Sequence, residues 1–263
     1  MPRPITLTEV DEIAVITLNN DAEANAIDLA FCESMLNALE TIGASAKHRV
    51  AVIRASGRIF SAGGNLAQIL AGLQRSDTFL ETLISELHAA ILAIRRLPIP
   101  VIASVQGAAA GAGFSLAMAC DFAVASTSAR FVVGYGALGT SSDGGLSWHL
   151  TRRLGPAQAL ELMLARGALS ADEAAALRLV QALAEPHALE EDTLAMARKV
   201  AALPPAAVRE MKQLVGLAAG DGLEQHLENE KQAFLRCAST SEFARRVAAF
   251  VGRSDRPATS PSA

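Results

Sequence analysis

Apolar positions alternate with polar ones at two different spacings, and the spacing changes repeatedly along the first two-thirds of the chain. Ile5-Leu7-Glu9 and Ile13-Ala14-Val15-Ile16-Thr17-Leu18 predict a β-hairpin between Ile5 and Asn20, turned at Asp11-Glu12. A polar loop follows to Asn25. Asp28 then sits where an N-cap belongs, before a helix from Leu29 to Ile42 that puts Leu29, Cys32, Met35, Leu36 and Leu39 on one face. Val50 to Arg54 is a short β-branched run of the kind that fills a buried strand. Phe60 to Leu66 is built of small residues, and the stretch from there to Asp77 reads as mobile, ahead of a helix from Phe79 to Arg96.

The pattern then repeats. Val101 to Val105, bounded by Pro100 and Gly107, predicts a strand; Gly107 to Gly113 is a turn of hydrogen and methyl side chains; Phe114 to Cys120 has helical character. Strands follow at Phe122–Ala125 and Arg130–Val133, and a Gly/Ser-rich segment spans Gly134 to Gly145. Helices are predicted at Leu146–Leu154, Pro156–Ala165 and Ser170–Leu177, the last opened by a Ser170/Glu173 capping box. After a strand at Val180–Leu183 everything from His187 onward is helical, broken at Pro204-Pro205 and Gly220-Asp221-Gly222. From Ser254 the composition is that of a flexible tail. Strand–strand–helix units followed by helices alone place the chain in the α/β class.

Composition narrows the function. Among 263 residues, 51% are hydrophobic and 19% charged, enough apolar material for a substantial core. A net charge of −4 with scattered Lys and Arg argues against nucleic acid as a partner, and every apolar run is cut short of membrane-spanning length. Cys32, Cys120 and Cys237 are an odd, widely spaced set that reads as reduced core residues. With no leader-like segment at Met1-Pro-Arg-Pro, the expectation is a cytoplasmic protein.

The candidate chemistry lies in the two small-residue segments, Phe60-Ser-Ala-Gly-Gly-Asn-Leu66 and Gly111-Ala112-Gly113. Each follows a β-run and offers bare backbone N–H groups, and two such donors converging on one oxygen stabilise an oxyanion. Close helix–sheet packing is the other use of such glycines. A dinucleotide site fails on detail, since Leu116 occupies the third fingerprint position and Arg130 stands where an acid is required. There is no Walker lysine, no Gly-x-Ser-x-Gly elbow and no His-Glu-x-x-His pair.

Several ordered motifs together resemble the enoyl-CoA hydratase/isomerase (crotonase) superfamily over roughly residues 5–252. They are Asn25-Ala26-Ile27, Phe60 to Leu66, Pro100 to Gly107 with Gly111 to Asp121, Phe131 with Gly139 to Gly145, Arg153-Leu-Gly155 and Leu169 to Ala174. The resemblance implies a crotonase-like spiral of ββα units (1–195), a C-terminal helical oligomerisation subdomain (196–253) and a tail (254–263). It implies a homotrimer or a hexamer built as a dimer of trimers, acting on an acyl-CoA. Coenzyme A enters as part of the thioester substrate, with no bound cofactor and no metal. Ala62 and Ala112 match the two residues whose amides hold the thioester oxygen. Ala24, Ala26, Ala62, Gly63, Gly64, Asn65, Leu66, Gly111 and Ala112 match the lining of the coenzyme A channel.

Departures from the family pattern decide which reaction is expected. Hydratases of the family carry two glutamates where this chain has Ser115 and Tyr135, whereas Asp143 matches an aspartate of the enoyl and dienoyl isomerases. One carboxylate suffices to take a proton from one carbon and return it to another, so the resemblance implies a double-bond isomerase with Asp143 as acid/base. The other reading of Asp143, with less weight, is an N-cap for the helix beginning at Gly144. His88 matches a general base of the aroyl-CoA dehalogenases, or is a packing residue. Tyr135, the only tyrosine, could bond substrate or form a wall; Ser115 reads as small packing. Ala24 and Ala67 replace basic residues common near the CoA phosphates, a role left to Arg253 or Arg256. The alternatives are a hydratase with atypical residues, a dehalogenase-like aroyl-CoA enzyme and a non-catalytic acyl-CoA-binding paralogue.

Overall fold

The structure, a computed structural model, describes residues 4–254 apart from 77, 219 and 221. The tail beyond residue 254, with Arg256, lies outside the described residues, as does the side chain of Arg253.

In chain order the elements are β1 (Ile5–Val10), β2 (Ile13–Leu18), α1 (Leu29–Ala44), β3 (Val50–Ala55), α2 (Leu66–Leu73), α3 (Phe79–Arg96), β4 (Val101–Val105), β5 (Ala108–Ala110) and α4 (Ala112–Ala119). There follow β6 (Phe122–Ser126), β7 (Arg130–Val132), α5 (Leu146–Leu154), α6 (Pro156–Glu161, extended by a π-helical turn to Arg166), β8 (Ala168–Ser170), α7 (Ala171–Ala176) and β9 (Ala182–Ala184). Four helices close the chain: α8 (Leu189–Ala201), α9 (Pro205–Leu217), α10 (Leu223–Ala238) and α11 (Ser241–Ser254).

Six strands form one sheet in the order β1-β2-β3-β4-β6-β9, and β5-β7-β8 form a second. Only the hairpin pair β1–β2 is antiparallel in the larger sheet. Its central strands read as nearly continuous apolar runs because both faces are buried. Ala14, Ile16, Ala51, Ile53, Ala103 and Val105 join the main core with Phe31, Met35, Leu87, Ile94 and Phe114 from α1, α3 and α4. Ile13, Val15, Val50, Val52, Ile102 and Val124 point the other way, onto Leu189 and Ala197 of α8.

The connections explain the spiral. β4 lies in the larger sheet, β5 in the smaller, and α4 follows; then β6 and β7 repeat the step and lead to α5. One turn earlier β3 does the same, with Ser61 as a single bridge to Ala109 in place of a full strand. The α/β spiral of ββα units expected from the sequence is the observed architecture, with helices alone at the C-terminal end. The chain divides into two compact units at Ala201/Ala202. In the second, α10 packs on α9 with Arg236 paired to Glu210, and Phe234 meets Phe243 of α11 edge to face at 5.9 Å.

Three local expectations change. The stretch after Leu66 is not irregular but the helix α2, capped by the Asn65 side chain accepting from the Gln68 amide at 3.1 Å. Ala108–Ala110 is a strand, although three alanines carry little strand preference; pairing with β7 and with Ser61 imposes it. Ala168–Ser170, where no strand is expected, is likewise β8, formed by antiparallel pairing with β7. The Asp28 cap and the Ser170/Glu173 capping box are present as expected.

At the C-terminal end of α4, Arg153 donates to the carbonyls of Met118 and Cys120 at 2.9 and 3.2 Å, placing a cation where the helix dipole is negative. The buried His149 lies close by. Burial, then the charges of Arg153, Arg95 and Arg152, push its imidazole down to about 3. The unfolded chain takes up that proton near pH 6.5, so between these values the unfolded state binds more protons and stability falls as pH falls. By pH 5 the loss from this residue is about 2 kcal/mol. Urea unfolding at pH 7 and pH 5 is expected to show a smaller pH difference for His149→Gln than for the natural chain; equal differences would refute the assignment.

Candidate active site

The site begins with two residues in an uncommon backbone conformation. Ala24 and Asn25 have φ of 54° and 51°, the left-handed region that non-glycine residues enter rarely. Asn25 is 1% exposed and holds the conformation with its side chain. It accepts from the Asn20 amide at 2.9 Å and donates to the carbonyls of Ser56 and Ile59 at 3.0 and 2.9 Å. Its own carbonyl accepts the buried Ser61 hydroxyl at 2.8 Å. The main chain laces the same two segments together. Ala62 donates to the Ala24 carbonyl at 3.0 Å, Ile27 to the Gly63 carbonyl at 2.7 Å, and Asn65 to the Ile27 carbonyl at 2.9 Å.

This lacing determines which amide is available. Ser61 spends its amide and carbonyl on β5, at 3.1 and 2.9 Å. The Ala62 amide is committed to Ala24, so the expectation that Ala62 donates to an oxyanion is corrected. Gly63 has φ +87° and re-aims the chain. Gly64 is then bridged to Ile27 through the bonds of its two neighbours, which points its own N–H away from that pairing. Among the described residues the Gly64 amide has no hydrogen-bond partner. The signal that could have found it is the glycine before it, which permits the positive φ.

Ala112 begins α4, and its amide is among the first-turn donors that have no partner within a helix. The preceding Gly111 amide is taken by the Val132 carbonyl at 2.9 Å. The two small-residue segments touch backbone to backbone. A methyl on Gly63 would stand 2.6 Å from the Ala110 oxygen and 3.3 Å from the Ala112 nitrogen, and one on Gly113 would stand 2.6 Å from the Ser61 oxygen. Glycine is thus required for close approach here, and the approach sets Gly63-Gly64 beside the start of α4.

Four side chains singled out from the sequence meet next to this turn. Tyr135 donates its phenol to Asp143 Oδ1 at 2.6 Å. The fully buried Ser115, one turn into α4, has its hydroxyl 3.1 Å from the Tyr135 oxygen and 2.9 Å from the Asp143 carbonyl. On α3, exposed His88 accepts the Gly144 amide on Nε2 at 3.3 Å. A β-carbon on Gly111 would lie 4.0 Å from the Tyr135 ring, so the cluster and the amide turn are neighbours. Asp143 does not cap α5 with its carboxylate: the Asp143 carbonyl accepts the Leu146 amide, and no side chain caps that helix. Burial, then the Asp143 charge, push the Tyr135 phenol up, which keeps its proton in place. Asp143 is the single carboxylate among the four.

The remaining candidates are arranged around the same segments. Ala26 and Gly64 are half-buried beside the Asn25 strap, and Asn65 caps α2 and donates to Glu23 at 3.2 Å. Leu66, Leu70 and Leu73 stand 54%, 62% and 50% exposed along α2, an apolar face beginning two residues after the free Gly64 amide.

The family profile described as enoyl-CoA hydratase/isomerase matches residues 8–259. The chain is similar to a trans-2-decenoyl-[acyl-carrier-protein] isomerase of Streptococcus mutans, 29% identical over 90% of this chain and 91% of the relative. It is also similar to a probable enoyl-CoA hydratase of Rhodobacter capsulatus, 33% identical over 92% and 93%. Among solved structures, an enoyl-CoA hydratase from Polaromonas sp. JS666 superposes with a TM-score of 0.91 at 37% identity, covering 95% of this chain and 97% of the other.

Proposed function

Because the chain belongs to the enoyl-CoA hydratase/isomerase family, we propose that it shifts a carbon–carbon double bond within an enoyl thioester, using Asp143 as the only acid/base. The observation that carries this reading is the polar cluster itself. It holds one carboxylate, and its other members near α4 are the hydroxyls of Ser115 and Tyr135.

The thioester oxygen is assigned to the main-chain amides of Gly64 and Ala112. Removing a proton from the carbon next to the carbonyl puts the electron pair into an enolate, whose charge falls on that oxygen. Fixed donors stabilise this charge without reorganising at the moment of reaction. The Asp143 carboxylate accepts the proton, then gives it to the carbon two positions farther along as the double bond moves. Atoms balance: one C–H bond breaks, another forms, and no water is consumed. Hydration asks for a group to activate water and another to protonate carbon, and a lone carboxylate is poorly suited to both tasks at once.

Coenzyme A, as part of the substrate, is assigned to the segment of Ala24, Ala26, Asn65 and Leu66, with the acyl chain against Leu70 and Leu73 of α2. Assembly into trimers or hexamers is assigned to the C-terminal helices, where Val215, Leu223 and Phe234 stand 74%, 74% and 63% exposed.

The test is a panel of enoyl, dienoyl and halogenated aryl thioesters, each offered on coenzyme A and on pantetheine and followed by mass and absorbance. Unchanged mass with shifted absorbance is expected for enoyl substrates. Gain of water would replace the reading with hydration, loss of halide with dehalogenation, and tight binding without turnover with a carrier role.

A further inference from the structure

Tyr135 and Ser115 occupy the two positions that make hydration unattractive, and the structure gives both of them a partner in Asp143. The Tyr135 phenol has one proton. Its shortest acceptor, at 2.6 Å, is Asp143 Oδ1, and a carboxylate is a stronger acceptor than the serine oxygen at 3.1 Å. The Ser115 proton goes to the Asp143 main-chain carbonyl at 2.9 Å. One residue later, Gly144 donates its amide to His88. Asp143 is therefore held at one carboxylate oxygen, at its own carbonyl and through the next amide, by groups from α3, α4 and the loop after β7. The fit is tight: at Gly144, with φ +55°, an added β-carbon would stand 2.8 Å from Ser115 Cβ.

We infer that Tyr135 is a positioning residue that reserves Oδ1 of Asp143, so that Oδ2 alone carries the proton from one substrate carbon to the other. This rests on the isomerase reading above. A carboxylate free to turn about its Cβ–Cγ bond can bring its new proton round to water, or present either oxygen to the substrate. With Oδ1 held, the proton taken by Oδ2 remains over the face of the substrate it came from. The transfer is then internal: the bond from substrate carbon to hydrogen breaks, Oδ2–H forms, and that same hydrogen is returned to the other terminus of the dienolate. The phenol keeps its proton throughout.

The experiment is isomerisation in D2O, reading deuterium incorporated per turnover beside kcat and KM. The natural chain is expected to return the substrate hydrogen with little deuterium uptake. Tyr135→Phe keeps the ring and removes the bond; kcat is expected to fall about 10²-fold with KM nearly unchanged, and deuterium uptake to rise several-fold. Ser115→Ala, which leaves the phenol in place, is expected to move both readouts in the same direction and by less. It supplies the measurement if the phenylalanine variant does not fold. Variants that slow without changing deuterium uptake would overturn the inference and leave the isomerase standing. A natural chain that does not isomerise would bring down the isomerase reading, and this inference with it.

Discussion

Asp143→Asn is expected to lower kcat by about 10³-fold or more while leaving thioester binding unchanged. The magnitude is that of removing a positioned acid/base from a proton transfer. The substitution is close to isosteric, and the amide oxygen still accepts the Tyr135 phenol that now meets Oδ1. The Ser115 hydroxyl reaches the main-chain carbonyl, which the substitution leaves alone. The loop from Gly134 to Gly145 keeps its anchors, so a loss of rate is not a loss of structure. Calorimetric titration with a non-reacting saturated thioester measures binding, and the panel assay measures turnover. A variant retaining more than about a tenth of the natural kcat would show that another group moves the proton.

Gly63→Ala is the second substitution expected to have a large effect, and it separates the amide pair from the carboxylate. Gly63 combines φ +87° with a β-carbon position 2.6 Å from the Ala110 oxygen and 3.3 Å from the Ala112 nitrogen. A methyl there must push the Gly64 segment away from the start of α4. Losing one oxyanion donor costs about 10²- to 10³-fold in kcat. Strain at a positive φ costs about 1–3 kcal/mol of stability. The change adds no group to the polar cluster around Asp143. Thermal unfolding reads the second quantity and the rate of folded enzyme reads the first. A folded variant with near-natural kcat would mean that the Gly64 and Ala112 amides do not share an oxygen.

Much of this architecture is legible in the sequence because most of the strands carry their own evidence. Val50–Ile53 is apolar on both faces and Val101–Val105 is nearly so, and the helices α1 and α7 announce their starts with Asp28 and Ser170. Where pairing imposes the conformation, local sequence is silent, as at Ala108–Ala110. α2 is hidden for the opposite reason: its leucines face outward, so the helix lacks the polar exposed face that marks an amphipathic segment. In the sequence His88, Ser115, Tyr135 and Asp143 are marked only by family resemblance, each position by itself. The hydrogen bonds among Ser115, Tyr135 and Asp143, and that of Gly144 to His88, depend on the loop between β7 and α5, which no spacing rule gives. That the amide of 64 is left available and that of 62 is not depends on one backbone angle, at Gly63.

All eight residues of α4 are buried, whereas α2 puts all three of its leucines into solvent. Sequence drift can therefore reshape α2 at little cost, but cannot touch α4 without disturbing the interior. In the proposed site the Ala112 amide belongs to α4 and the acyl tail lies along α2, so a lineage could retrain its appetite for chain length while that end of the grip stays as it was.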